Sequence, residues 1–410
     1  MDAVGSCCPH QTPAGCDRRS GIRIDRIVRA SAALLLWAAP LLTAVGACSP
    51  SRSLEAVRIL GDIEAGHRPS ALKAATPRPD RTFIRFAVDG RQHDADLYVP
   101  GEPAKAGLVL VPGLTPRGRD DARLVDFAMT LSRARFKVLV PDLPGMRALQ
   151  VTALDAGPIA DGARYLDEGS PTQPLGIAAV SFAVGPAVIA LTGPGVRGRV
   201  DFFLGIGAYW DLEALITYIT TGWFREEPTG PWTYRPPKAY GKWIFVRSNA
   251  SRLDDPRDQA ALTEIASRKL DDKDAPIEDL VATLGPDGLA VYALIANRDP
   301  DRVPSLLASL PARLREEIAK LDLKRSDLTD VPVVLILIHD RQDRIIPAQQ
   351  SEALAAAIAP ANAHLYLVDG LDHAQIEQPG VADAVALYDA AWTLLQARDQ
   401  RLRPASDERK

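Results

Sequence analysis

Residues 175–185 read LGIAAVSFAVG. Leu175–Val180 has the length and apolar composition of a buried strand, and Val184–Leu191 begins an apolar helix. Ser181 stands at the turn between them. A serine in a strand-to-helix turn is held in a strained conformation that pushes its hydroxyl out over the sheet. The turn is too tight for bulk, so the positions two residues to either side must be small. They are Ala179 and Ala183, where glycine is usual. Ser181 is therefore a candidate nucleophile, and the chain must supply it with a base.

Working outward, the same rhythm continues on both sides. Thr82–Val88 and His93–Val99 flank Asp89-Gly90, a strong hairpin signal. Leu108–Val111 and Val138–Val140 read as strands, with helical patterns at Asp120–Ser132 and Ala153–Leu166. Phe202–Ile206 is a further strand. After a long interval come strand Val333–Ile338, a helix around Gln349–Ile358, strand His364–Val368 and a terminal helix, Val381–Ala397. A hairpin followed by repeated strand–helix units predicts an α/β fold with a mostly parallel central sheet flanked by helices.

The interval from Asp211 to Asp330 breaks the rhythm, being helical and rich in loops. Four of the six Trp fall between 210 and 243, beside Phe224, Tyr234, Tyr240 and Phe245. Rings clustered in this way suit either packing over something apolar or the core of an accessory subdomain.

The C-terminal quarter supplies partners for Ser181. Strand Val333–Ile338 runs into His339-Asp340-Arg341-Gln342-Asp343-Arg344-Ile345-Ile346-Pro347. Asp343, just past a strand end and followed by an aliphatic pair and Pro, suits an acid projected toward a neighbouring imidazole. After the last predicted strand comes Gly370-Leu371-Asp372-His373. Of the six histidines only His373 sits on a loop following that strand, where it can take the serine's proton as base and return it as acid. His339 reads as strand-end packing, His93 and His364 as strand residues, and His10 and His67 lie outside the core. Asp372 is a rival acid.

Serine, then acid, then histidine is the chain order of the α/β-hydrolase fold superfamily, which residues 82–395 resemble. The resemblance puts 211–330 in the place of a cap inserted after the sixth strand, between core segments 81–210 and 331–400. It implies Ser181 as nucleophile, Asp343 as the acid orienting the imidazole and His373 as general base. The family's oxyanion loop matches Val111-Pro112-Gly113-Leu114-Thr115, which implies backbone N–H donors from Leu114 and Phe182. There are three departures from the pattern: Pro112 replaces a usual His before Gly113, alanines replace the elbow glycines, and Asp340 stands where Gly is common.

Composition narrows the alternatives. The chain has 410 residues, 48 Lys plus Arg against 52 Asp plus Glu, and a net charge of -4. That balance offers no basic face for a phosphate backbone, so nucleic acid is not expected as a partner. There is no G-x-x-x-x-G-K-[ST], no H-E-x-x-H and no dinucleotide fingerprint, and neither a metal nor an organic cofactor is expected. All four cysteines (Cys7, Cys8, Cys16, Cys48) lie in the first 48 residues, leaving the folded body without disulfides or thiolate sites.

The N-terminus reads as an address. Five arginines (Arg18, Arg19, Arg23, Arg26, Arg29) precede the uncharged run 30–47, ASAALLLWAAPLLTAVGA. That is the pattern of a secretory signal, with a membrane helix as the alternative. Val45-Gly46-Ala47-Cys48 resembles a bacterial lipobox, which implies a leader over 1–47 and a mature chain lipid-anchored at Cys48 in the cell envelope. Residues 48–80, with Pro69, Pro77 and Pro79, read as a tether, and 401–410 as a polar tail.

The leading expectation is an exported serine hydrolase acting on a small-molecule ester or related acyl bond. Acyltransferase, thioesterase and peptidase chemistry would look alike at this level. The alternative from another class is a non-catalytic lipid-anchored binding protein that retains the fold.

Overall fold

The sequence pattern becomes an eight-stranded sheet in a computed structural model that describes residues 50–370, apart from 228 and 330, and 380–400. The strands are β1 (Asp80–Val88), β2 (Arg91–Val99), β3 (Ala106–Val111), β4 (Phe136–Pro141), β5 (Leu175–Val180) and β6 (Phe202–Ile206). A small hairpin, β7 (Trp223–Arg225) and β8 (Trp232–Tyr234), stands apart, and β9 (Val334–Asp340) and β10 (Ala363–Val368) complete the sheet. The order is β1-β2-β4-β3-β5-β6-β9-β10. Within this sheet antiparallel pairing is confined to β1–β2 and β2–β4, and its remaining pairs are parallel. Asp89 and Gly90 close the first hairpin with φ of 49° and 78°, the left-handed pair that a two-residue turn requires.

Alternation along the strands sorts the core into two layers. Leu108, Leu110, Val138, Val140, Ala178 and Ile336 face the helices Ala122–Arg133 and Val381–Asp399. Val109, Val111, Leu139, Ile177, Ala179 and Leu337 face the helices Ala156–Gly169 and Val184–Thr192. Both faces are covered, so each strand reads as a continuous apolar run. The chain steps from β3 to β4 on one side, then returns to place β5 and β6 on the other. The sheet reverses between β3 and β5, and open α/β sheets bind ligands outside the carboxyl ends of the strands at such a reversal.

The segment read as a tether is folded from residue 50 on, which corrects that expectation. Pro50–Ala65 is a helix, and Ala71–Ala75 a second short one capped by Ser70. Ala56, Ile59 and Leu72 are buried among Ala128, Leu131 and Phe136. Arg398, buried on the terminal helix, donates to both carboxylate oxygens of Glu55. Asp62 is buried and accepts from Thr130 Oγ1 at 2.7 Å, from Lys73 Nζ at 2.5 Å and from Ser70. The prolines suggested a spacer, but Ala56, Ile59 and Ile63 recur at helical spacing and have a sheet-covering helix to pack against. No helix among the described residues is long and apolar enough to cross a membrane. The leader 1–47, Cys48 and the tail 401–410 lie outside the described residues.

The interval between β6 and β9, read from the sequence as a cap, is mainly helical apart from the β7–β8 hairpin. Leu212–Thr221, Ala239–Asn249, Pro256–Asp271, Pro286–Ala296 and Ala312–Leu321 are its longer helices. Leu215, Ile216, Ile219 and Phe245 join the apolar layer that holds Val184 and Val188. Cap and core therefore share one hydrophobic interior.

Candidate active site

Ser181 has φ of +58°, one of four positive values among the described non-glycine residues. An unbranched serine in the left-handed region is strained, and the surroundings must hold it there. Behind it, β5 is fixed in register between β3 and β6. Ahead of it, Ser181–Ala183 forms a tight turn that passes directly into the helix Val184–Thr192. Ala179 and Ala183 point into the core and are fully packed, so the elbow's departures from glycine fill space that would otherwise be empty. Gly185 meets a stricter demand. A β-carbon there would lie 1.9 Å from the Tyr209 hydroxyl, which itself donates to the Leu321 carbonyl at 3.0 Å.

The loop after β3 lies beside this elbow. Val111 pairs with Ala179, so Leu114 and Phe182 each stand three residues beyond the same register point on adjacent strands. Thr115 braces the loop, its hydroxyl reaching Asp121 Oδ2 at 3.1 Å and accepting from the Arg117 amide at 3.3 Å.

Asp343 follows β9, two strand spacings or roughly 10 Å from β5 across the sheet. It is buried, and its Oδ1 accepts from the Ile345 amide at 2.7 Å and the Ile346 amide at 3.1 Å. The aliphatic pair after the aspartate thus supplies the amides that fix its rotamer. Its other oxygen lies 3.5 Å from His339 Nε2. His339 is buried as strand-end packing: Nδ1 meets Ser351 Oγ at 2.6 Å and Nε2 meets the Ile346 carbonyl at 2.8 Å. Because a carbonyl only accepts, Nε2 carries a proton and fixes the turn that bears Asp343. Asp340, at the glycine position, uses its side chain to accept from the Gln342 amide at 2.8 Å. Burial, together with the nearby Asp343 and Asp369 charges, raises its pKa. His373 and the rival acid Asp372 lie outside the described residues.

Next to Ser181, Phe182 forms part of the wall of a cavity of about 50 Å³ between the elbow and the cap. Leu212, Leu215, Ile216, Ile219 and Ile244 are among its aliphatic lining. Its polar side chains are turned to partners in the protein. Ser248 Oγ accepts from the Val151 amide at 2.8 Å, Asn249 Nδ2 donates to the Phe245 carbonyl at 2.8 Å, and Tyr209 is bonded to Leu321. The space is therefore a carbon-lined one. The aromatic cluster contributes little of it, since only Phe245 of those rings is on the wall. Trp223 meets Tyr234 at a tilt with ring centroids 5.1 Å apart, while Trp232 lies under the Arg225 guanidinium at 4.0 Å and donates to Asp301. These rings build the cap itself.

Nearby, Glu317 pairs with Arg252, and both charges act on the buried Asp155. Glu317 accepts from the Ala153 amide at 2.8 Å and lies 3.4 Å from Arg252, which also donates to the Val151 carbonyl. Burial, with the Glu317 charge adding to it, pushes the Asp155 pKa up to about 6. Among the described residues no group of three His, Cys, Asp or Glu side chains could hold a metal ion.

Sequence reasoning did not single out the groups that hold the Asp343 loop from the cap side. Arg235 donates from one guanidinium nitrogen to the carbonyls of Arg341 at 3.1 Å and Asp343 at 3.4 Å. Arg344 Nε donates to the Pro236 carbonyl at 2.8 Å, and the Lys238 amide to the Arg344 carbonyl at 2.7 Å. The run Tyr234-Arg235-Pro236-Pro237-Lys238 carries no signal of this partnership, because its partners lie more than a hundred residues downstream.

No family model matches the sequence, and no curated protein matches it. Among solved structures, a Legionella pneumophila protein described as a hydrolase aligns with a TM-score of 0.50 and 11% identity. The alignment covers 86% of this chain and 96% of that one. The rice cell wall degrading esterase LipA of Xanthomonas oryzae aligns at 0.47 and 13%, covering 81% and 94%. The acylaminoacyl peptidase of Pyrococcus horikoshii aligns at 0.38 and 12%; 72% of this chain is covered, and the chain spans 37% of that protein's length. The chain has the α/β-hydrolase fold.

Proposed function

We propose that the protein is an exported serine hydrolase that cleaves carboxylic esters or related acyl bonds. In this reading Ser181 Oγ attacks the substrate carbonyl while His373 takes the hydroxyl proton. Asp343, held by two backbone amides, orients the imidazole and stabilises its charged form. The amides of Leu114 and Phe182 donate to the oxygen that becomes negative in the tetrahedral intermediate, a contribution of roughly 3–4 kcal/mol per donor. Collapse of the intermediate breaks the ester bond, and the imidazolium returns its proton to the departing alcohol. Water then gives a proton to His373, attacks the acyl-enzyme and releases the acid with free Ser181. The carbon-lined space beside Phe182 suits an apolar substituent on the acyl side. Lipid attachment at Cys48 would put this chemistry at a bacterial membrane.

The observation that carries the reading is the left-handed backbone of Ser181 at the end of β5, where the sheet reverses. A strained non-glycine residue at that place is kept when its side chain is used. The test is labelling of the full-length protein with a fluorophosphonate probe. Labelling that disappears in Ser181→Ala is expected. A folded protein that takes no label favours the non-catalytic binding role instead.

A further inference from the structure

We infer that the cap is part of the catalytic apparatus through Arg235, a positioning residue that sets the loop bearing Asp343. The inference rests on the hydrolase reading above and adds to it a device outside the three reacting side chains.

The loop 341–344 is short and lies at the end of β9, and its outer residues Arg341, Gln342 and Arg344 are exposed. Its inner side is fixed by the Asp343 contacts to the Ile345 and Ile346 amides. Its outer side has carbonyls at Arg341, Asp343 and Arg344 that need donors once covered. The cap meets all three with donors from a four-residue stretch. Arg235 spans the carbonyls of Arg341 and Asp343, and the Lys238 amide takes that of Arg344. Arg344 returns a bond from Nε to Pro236, so the two segments are tied in both directions.

Arg235 is itself well held. Its amide donates to the Gly222 carbonyl at 2.9 Å, closing the β7–β8 hairpin onto the end of the helix Leu212–Thr221. Its guanidinium stacks over Phe224 at 5.0 Å, and Phe224 meets Tyr218 edge-on at 5.8 Å. The ring leaves the guanidinium with little freedom, so the one nitrogen that donates to both carbonyls is held in place between them. Gly222, with φ of +84°, permits the sharp turn that starts the hairpin. Displacing Asp343 by a fraction of an ångström misaligns the imidazole it orients, and errors of about 1 Å outside the reacting groups cost on the order of 100-fold in rate. Arg235 is not on the wall of the apolar cavity, so its loss should act on turnover and leave substrate affinity nearly unchanged.

The experiment compares wild type, Arg235→Ala and Arg235→Lys in the full-length protein, using p-nitrophenyl butyrate hydrolysis, fluorophosphonate labelling and thermal melting. For Arg235→Ala the expected result is a kcat lower by roughly 10- to 100-fold with KM changed by less than about twofold. Added methylguanidinium should restore part of the loss, and Arg235→Lys, which keeps one donor, should fall between. An Arg235→Ala protein that melts like wild type and turns over at the wild-type rate overturns the clamp. If Arg235→Ala does not fold, Arg235→Lys and Arg344→Ala carry the test, and wild-type kcat in both overturns it equally. Wild type that takes no label at Ser181 removes the hydrolase reading and the clamp together. Label on wild type at a rate unchanged in folded Arg235 variants removes the clamp alone.

Discussion

The serine elbow and the acid loop sit at the same edge of the sheet but are held in different ways. The elbow is a local object. Ser181 is strained by the turn between β5 and the helix Val184–Thr192, and the residues that hold it are its own neighbours in sequence. The acid loop is held at a distance. Asp343 receives amides from Ile345 and Ile346, but its loop is covered by Arg235, Pro236 and Lys238, with one bond spanning 108 residues of chain. A turn determined by its own residues can be recognised from them, whereas a turn determined by a docked subdomain cannot. The cap is tied to the core's acid loop by hydrogen bonds and joined to its interior by shared apolar packing.

The comparison is broken most severely at the acid itself. Asp343→Asn keeps an oxygen for the Ile345 and Ile346 amides, so the loop should retain its shape while the carboxylate charge is lost. The expected fall in kcat is about 10⁴-fold with an unchanged melting temperature. Activity surviving in Asp343→Asn would assign the acid role to Asp372. On the elbow side, Gly185→Ala forces a β-carbon into the Tyr209 hydroxyl and displaces the bond to Leu321. Denaturant unfolding should register a loss of about 1–3 kcal/mol, the usual cost of overpacking; a loss below that range would show that Tyr209 can move aside freely.

The smallest effect is a pH dependence away from both regions, at Asp155, where the start of the helix Ala156–Gly169 meets Glu317 and Arg252. Asp155 is raised to about 6 by burial, with the Glu317 charge contributing. An acid whose folded pKa exceeds its unfolded value binds more protons when folded. Its contribution to stability is therefore full below the unfolded pKa and is lost as pH rises toward about 6. Asp155→Asn removes this loss while keeping an acceptor for the Thr152 amide. Melting of the variant relative to wild type should improve between pH 4 and pH 7; a pH-independent difference would refute the assignment.

Strand and helix order was legible because each buried strand is a short apolar run, and β5 and β6 begin and end where the pattern places them. The early helix Pro50–Ala65 was not, because Pro69, Pro77 and Pro79 suggested a spacer and the surface it covers is built by residues far along the chain. The aromatic cluster was visible but its use was not. Ring clustering is a matter of composition, whereas which rings face a cavity depends on how the cap helices cross.

The amino-acid sequence by itself determined the elbow, the hairpin and the alternation that buries both faces of the sheet, since these depend on interactions between near neighbours. Only the tertiary structure decided which cap residues cover the acid loop, which side chains line the space beside Phe182 and where the N-terminal helix docks. Those contacts join segments tens to hundreds of residues apart, and no local preference specifies which distant backbone carbonyl an arginine will meet.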